Sequence, residues 1–231
     1  MKRLHFLVEG PTEREFVREV LAPHLLNFEK LCDARLVTSR RDWSTGQFYK
    51  GGIASYDKIR HEIGLAIKED HAPDSFFTTM LDYYGLPTSF PGLGVCVSAQ
   101  GAKATVAGIE SAFLADVARE FSSLPVNQFF IPNIMCHEFE TLIFADPLKL
   151  SNYYIEQSNH VQALVSQLSQ FGDPELVNTS PDKAPSKRIL SVIPEYDKVT
   201  AGPLIALEIG LPTLRARCGR FDGWITRLER L

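Results

Sequence analysis

The sequence predicts an α/β fold: a parallel sheet of about four strands flanked by helices, with a helical carboxyl-terminal annex. Three observations carry that expectation. Short apolar runs alternate with amphipathic stretches up to Met135, the runs end in turn-forming residues, and no further clear strand pattern follows. Strands separated by helices pair in parallel through right-handed crossovers. With 231 residues, 45% of them hydrophobic and 23% charged, the chain can bury one substantial core. The pattern divides it into an α/β domain over 1–146 and an annex over 147–231 packed on that domain.

The first strand is the apolar run Leu4 to Val8, which stops at Glu9 and Gly10. Pro11, Thr12, Glu13, Arg14 and Glu15 then have helix-opening chemistry, with Thr12 and Glu15 spaced as a capping box. Phe16, Val17, Val20, Leu21 and Leu25 follow at helical spacing. Cys32 to Val37 is the second strand, and Ile53 to Ile67 a helix whose Ile59, Ile63 and Ile67 form one stripe. Arg40 to Gly52, polar, basic and glycine-containing, reads as a loop. Ser75 to Leu81, rich in Phe and Thr, is the third strand, ending at Asp82 before the turn residues Gly85, Leu86 and Pro87. Val106 to Phe121 returns to a helical pattern, and Gln128 to Met135 supplies the fourth strand. His137 to Ala145 looks helical, and short helices joined by polar loops complete the chain.

No apolar run approaches the roughly 18 residues that span a bilayer, and the amino terminus enters a strand without a signal pattern, so a cytoplasmic protein with no membrane contact is expected. Four scattered cysteines show neither metal-ligand pairing nor the density of a disulfide scaffold, which predicts reduced, mostly buried thiols. Charge is uneven. Residues 185 to 231 carry eight basic side chains against five acidic ones, so the rest holds −7 of a chain whose net charge is −4. An acidic body beside a basic segment fits a metal-binding centre next to a phosphate-contacting surface, and it equally fits two solvated faces.

In an open parallel sheet, ligands gather at the carboxyl ends of the strands. Glu9 and Asp82 each occupy such an end. If their strands are neighbours, about 4.8 Å apart, the two carboxylates can share one divalent cation or its water shell. Mg2+, or Mn2+, suits oxygen ligands and keeps waters that substrate phosphates can replace. The turn Gly10, Pro11, Thr12, Glu13 places a helix amino terminus behind Glu9, a place for a phosphate. The same turn is also what a strand end and a favourably charged helix start look like. His137 and Glu138 lack the two-histidine zinc spacing, and His137 reads as a helix cap. Lys187 and Arg188, and beyond a turn Tyr196 and Lys198, offer charged or polar donors to a phosphodiester backbone, as do Arg40 and Arg41.

Four runs in order, Val8 to Glu13, Leu81 to Pro87, His137 to Glu140 and Pro185 to Arg188, resemble the prokaryotic "domain of unknown function 4276" family. That family is similar to the Toprim domains of topoisomerases, primases and overcoming-lysogenization-defect nucleases. The resemblance implies a Toprim-like sheet, in which a glutamate after the first strand moves a proton and an Asp-x-Asp after a later strand binds magnesium. Glu9 matches the glutamate and Asp82 the first aspartate, but Tyr84 stands at the second. A phenol with an ordinary pKa of about 10 does not replace a carboxylate at neutral pH. Glu138, Glu140 and Glu13 are the candidates to complete the shell, and Glu138 is preferred because residues two apart on a helix do not share a face.

The resemblance further implies a nuclease or other phosphodiester-transfer enzyme acting on DNA or RNA, as the effector of a separately encoded ATPase in bacterial anti-phage defence. A homodimer is compatible with it. The alternative is a Toprim-like recognition or regulatory module that binds nucleic acid or its partner without turnover. A dinucleotide-binding domain is disfavoured, because the first turn has no Gly-x-Gly-x-x-Gly loop.

Overall fold

The computed structural model describes residues 1–37, 55–95, 102–177 and 183–231. The expected basic loop at Arg40 and Arg41, and Cys96, lie outside the described residues. Strand β1 (Lys2–Val8) leads into a continuous helical segment made of α1 (Pro11–Phe16), a π-helical stretch Val17–Leu21, and α2 (Ala22–Leu26). Pro23 has no N–H to return to the preceding turn, and the helix widens just before it. The capping box does not form: Gly10 is the N-cap, in extended conformation, while Thr12 is buried within the first turn.

Strand β2 (Lys30–Leu36) comes next, then α3 (Tyr56–Glu69), β3 (Ser75–Asp82), a 3-10 turn at Tyr83–Gly85, and α4 (Ala102–Glu120). The expected fourth strand is divided. A short helix α5 (Val126–Phe129) takes its first residues, and Pro132, which cannot donate to a ladder, separates β4 (Phe130–Ile131) from β5 (Ile134–Met135). The predicted helix at His137–Ala145 is a pair of 3-10 turns, Phe139–Thr141 and Ile143–Ala145. The annex holds α6 (Leu150–Tyr153), α7 (Ser158–Leu168), α8 (Pro185–Val192), α9 (Lys198–Ile209), α10 (Leu211–Arg217) and α11 (Gly219–Glu229).

The sheet order is β2-β1-β3-β4, with β5 also pairing β3, and every pair is parallel. Val8 lies opposite Met80 and Asp82 opposite Met135, so the carboxyl ends of β1, β3 and β5 share one edge. Two hydrogen bonds carry the ladder past the strands, Glu9 N–H to the Met80 carbonyl and Tyr84 N–H to the His137 carbonyl, each 3.1 Å.

Side-chain alternation divides the core between the two faces. Leu7, Phe77 and Leu81 pack with Ile59 and Ile63 of α3 and Ile109 and Phe113 of α4. Leu4, Phe6 and Val8 pack with Phe16 and with Phe221, Trp224, Ile225 and Leu228 of α11. The annex therefore supplies much of the core on one face of the sheet. Trp224 Nε1 donates to Thr78 Oγ1 at 2.9 Å, and that hydroxyl donates to the Ile131 carbonyl at 2.6 Å, tying α11 to the centre of the sheet. Burying an aromatic side chain of this kind contributes about 1.5–3 kcal/mol. Among the described residues no helix is long and apolar enough to cross a membrane.

Candidate functional site

Four carboxylates and one ammonium converge at the carboxyl edge of the sheet. Glu9 leaves β1 and its Oε2 accepts the Asp82 N–H at 3.0 Å, so the ends of β1 and β3 are joined through this side chain. The carboxylate also lies against Gly85. A Cβ there would come within 2.5 Å of Oε1 and 2.6 Å of Oε2, so this turn accommodates Glu9 only because residue 85 has no side chain. Glu13, from the first turn of α1, is buried, and its Oε2 lies 3.1 Å from where a Cβ on Gly10 would be. Asp82 is buried at the end of β3, and Glu140, fully buried, comes from the 3-10 turn after β5.

Lys198, the first residue of α9, reaches into this group. Its Nζ is 3.1 Å from Asp82 Oδ2, 3.2 Å from Glu140 Oε2 and 3.8 Å from Glu13 Oε1. Close packing of α9 on α1 makes the reach possible: a Cβ on Gly202 would lie 3.4 Å from the Thr12 methyl, 3.2 Å from the Phe139 ring and 3.3 Å from the Tyr196 hydroxyl.

The electrostatics follow from one cation among four acids. Burial, then Asp82 and Glu13, push the Glu9 carboxyl up to about 8. Burial and Asp82 push Glu13 up to about 7, against the pull of Lys198. Glu140 is pushed up to about 7, first by burial and then by Asp82 and Glu138. Asp82 is raised by burial, with Lys198 opposing. Burial alone would lower the Lys198 ammonium, but Asp82, Glu140 and Glu13 together hold it well above its ordinary value.

Hydrogen bonding is incomplete here and nearly complete elsewhere. Among the described residues eight buried side-chain polar atoms have no hydrogen-bond partner, and five belong to this group: Glu13 Oε1, Asp82 Oδ1, both Glu140 oxygens and the Tyr196 hydroxyl. Each such atom costs of the order of 1–3 kcal/mol, which marks the cluster as built for something it does not itself contain. Four of the five are carboxylate oxygens, the hard donors that Mg2+ or Mn2+ takes, whereas burial holds the Tyr196 phenol in its neutral form. The residues fit such an ion in kind. As they stand, however, no three His, Cys, Asp or Glu side chains among the described residues are placed so that they could hold a metal ion, and the Lys198 ammonium sits between the acids.

The other expected site residues lie around this centre. Glu138 uses Oε2 to accept the Ser186 N–H at 3.0 Å, anchoring the start of α8. Tyr84 packs its ring on Tyr83 and His137, with centroids 5.4 and 5.5 Å away. Gly10 serves as the N-cap of α1, and Thr12 packs against α9. Lys187 is exposed on α8, whereas Arg188 donates to the Lys183 and Val177 carbonyls and covers the Phe171 ring. Lys198, read from the sequence as a phosphate contact, has its ammonium on the acids. The spacing roles of Gly85 and Gly202 had no sequence signal, because each depends on a neighbour more than 70 residues away in the chain or on a second helix.

A family model described as "Domain of unknown function (DUF4276)" matches residues 8–229, and the chain belongs to that family. No curated protein and no solved structure matches it.

Proposed function

We propose that this DUF4276 protein is a divalent-metal-dependent, Toprim-like nuclease or phosphodiester-transfer enzyme whose centre is the Glu9, Glu13, Asp82, Glu140 cluster. The observation that carries the reading is the concentration of unpartnered, buried oxygen atoms at the carboxyl edge of a parallel sheet. A bound Mg2+ or Mn2+ would supply charge neutralisation and polarise a phosphate oxygen. Glu13, Asp82 and Glu140 are the side chains that would hold it, through buried oxygens that have no hydrogen bond, two of which face the Lys198 ammonium. Glu9 is suited to proton transfer: it is part-exposed, joined to Asp82 through a backbone hydrogen bond, and has a carboxyl displaced to about 8, close to the working pH of a cytoplasmic enzyme. Lys198, a third of whose side chain meets solvent, supplies positive charge among these acids. Glu138 takes a supporting role, because one of its oxygens is committed to α8.

DNA or RNA is the proposed substrate, a separately encoded ATPase the proposed partner in anti-phage defence, and the cytoplasm the proposed location. Nucleic-acid cleavage by the purified protein with Mg2+ or Mn2+, with and without that ATPase, tests the reading. Glu9→Gln and Asp82→Asn should each reduce cleavage at least a hundredfold while circular dichroism stays unchanged. Cleavage by both variants at the wild-type rate would sink it.

A second reading, a binding module without turnover, is favoured by the Lys198 ammonium, which already neutralises part of the acidic charge. It requires nucleic-acid or partner binding to persist with no turnover under any metal condition.

A further inference from the structure

We infer that Lys198 is a tethered cation holding the place of the divalent ion, and that the ion enters by displacing its ammonium from Asp82 and Glu140. This rests on the metal-centre reading above and adds a regulation to it: the centre is occupied by the protein's own charge until metal concentration is high enough to exchange it.

Lys198 touches carboxylates from three separate segments, the end of β3, the 3-10 turn after β5 and the start of α1, which are the segments a bound ion would have to bridge. Its position is unfavourable for its own helix. An ammonium in the first turn of α9 opposes the positive end of the helix dipole, and the turn is already capped by Asp197, whose Oδ1 accepts the Val199 and Thr200 N–H groups at 3.0 and 3.3 Å. The lysine is therefore placed for the acids and not for the helix.

The hold is also incomplete. One ammonium faces four acids, its only hydrogen bond to them within ordinary geometry goes to Asp82 Oδ2, and four carboxylate oxygens stay without a hydrogen-bond partner. A divalent ion carries twice the charge and can bind several of those oxygens at once. About a third of the lysine side chain is solvent-exposed while Asp82, Glu13 and Glu140 are not, so Lys198 is the member of the group that borders solvent. Once displaced, the ammonium stays charged, so metal entry adds two charges and removes none from its surroundings.

Calorimetric titration of the full chain with Mn2+ at pH 7, for wild type, Lys198→Met and Lys198→Arg, tests the exchange. Removing the competing cation should tighten Mn2+ binding by about tenfold or more in Lys198→Met. Lys198→Arg, which keeps the charge, should bind no tighter than wild type. If wild type binds Mn2+ and Lys198→Met binds equally or more weakly, the inference is overturned while the metal centre stands. If none of the three binds Mn2+, the metal centre itself falls and the inference with it. Should Lys198→Met fail to fold, NMR of the lysine Nζ–H groups in the wild type decides: Mg2+ at saturation should move the Lys198 signal toward that of a solvated lysine, and an unmoved signal overturns the inference.

Discussion

Two buried acidic groups in this molecule show opposite bonding. Glu175, 3% exposed, lies at the start of α11, where Oε2 accepts the Arg220 N–H at 2.8 Å and Oε1 the Phe221 N–H at 3.0 Å, and Lys103 Nζ is 2.8 Å from Oε2. Nearby, Glu110 is paired with Arg220 and also accepts the Ile134 N–H at 2.7 Å. At the carboxyl edge of the sheet, Glu13, Asp82 and Glu140 are as deeply buried, yet four of their six oxygens lack a hydrogen-bond partner. Burial is the same and satisfaction is not. A buried carboxylate with its bonds filled holds elements together, and one left short is a candidate position for a ligand, as the proposed function uses it.

The comparison breaks if the two groups respond alike to mutation. The largest effect is expected at Glu175. Glu175→Ala removes two helix-cap hydrogen bonds and leaves Lys103 with Asp173 alone, and should cost about 3 kcal/mol in chemical denaturation. A loss below about 1 kcal/mol would place Glu175 with the unsatisfied acids instead. A smaller stability effect is expected at Gly85. Its added methyl group would overlap the end of a flexible glutamate, which can move, so Gly85→Ala should cost about 1 kcal/mol or less. Displacing Glu9 should nevertheless reduce metal-dependent activity at least tenfold. Full activity in Gly85→Ala would show that the Glu9 position does not matter.

The contrast also explains what the sequence made legible. The strands at Leu4–Val8 and Ser75–Leu81, the helices around Ile59–Ile67 and Val106–Phe121, and the chain positions of Glu9 and Asp82 follow from local pattern, and the parallel pairing of the strands follows from the alternation, whereas the order that makes the Glu9 and Asp82 strands neighbours does not. The 3-10 turns after Met135 were read as helix because Phe139, Leu142 and Ile143 are apolar at helical spacing; the structure buries all three in the main core through tight turns. Which acid joins Asp82 was not legible. Glu138 and Glu140 differ only by the two-residue step that aims one at Ser186 and the other inward, and the backbone of the turn decides it. Lys198 was visible as a basic residue, but only the packing of α9 on α1 carries it 116 residues along the chain to Asp82.

The smallest effect sharpens the comparison most, because its sign differs from that at Glu175. Glu140→Gln replaces a buried carboxyl, whose Oε2 lies 3.2 Å from the Lys198 ammonium, by an isosteric neutral group; at pH 6, below the raised Glu140 value of about 7, stability should change by less than about 1 kcal/mol. Its pH dependence carries the information. Glu9, Glu13 and Glu140 are raised to about 8, 7 and 7, so the folded protein binds protons that the unfolded chain releases near its ordinary carboxyl values. Stability then falls as pH rises from about 4.5 through those folded values, and is lowest above them. Thermal melts without metal should show this decline between pH 5 and 8, and Glu140→Gln should make it shallower, leaving the variant more stable than wild type at pH 8. A wild-type melting temperature that stays level or rises across that range would mean the edge acids are as well satisfied as Glu175, and the division between structural and ligand-ready carboxylates would disappear.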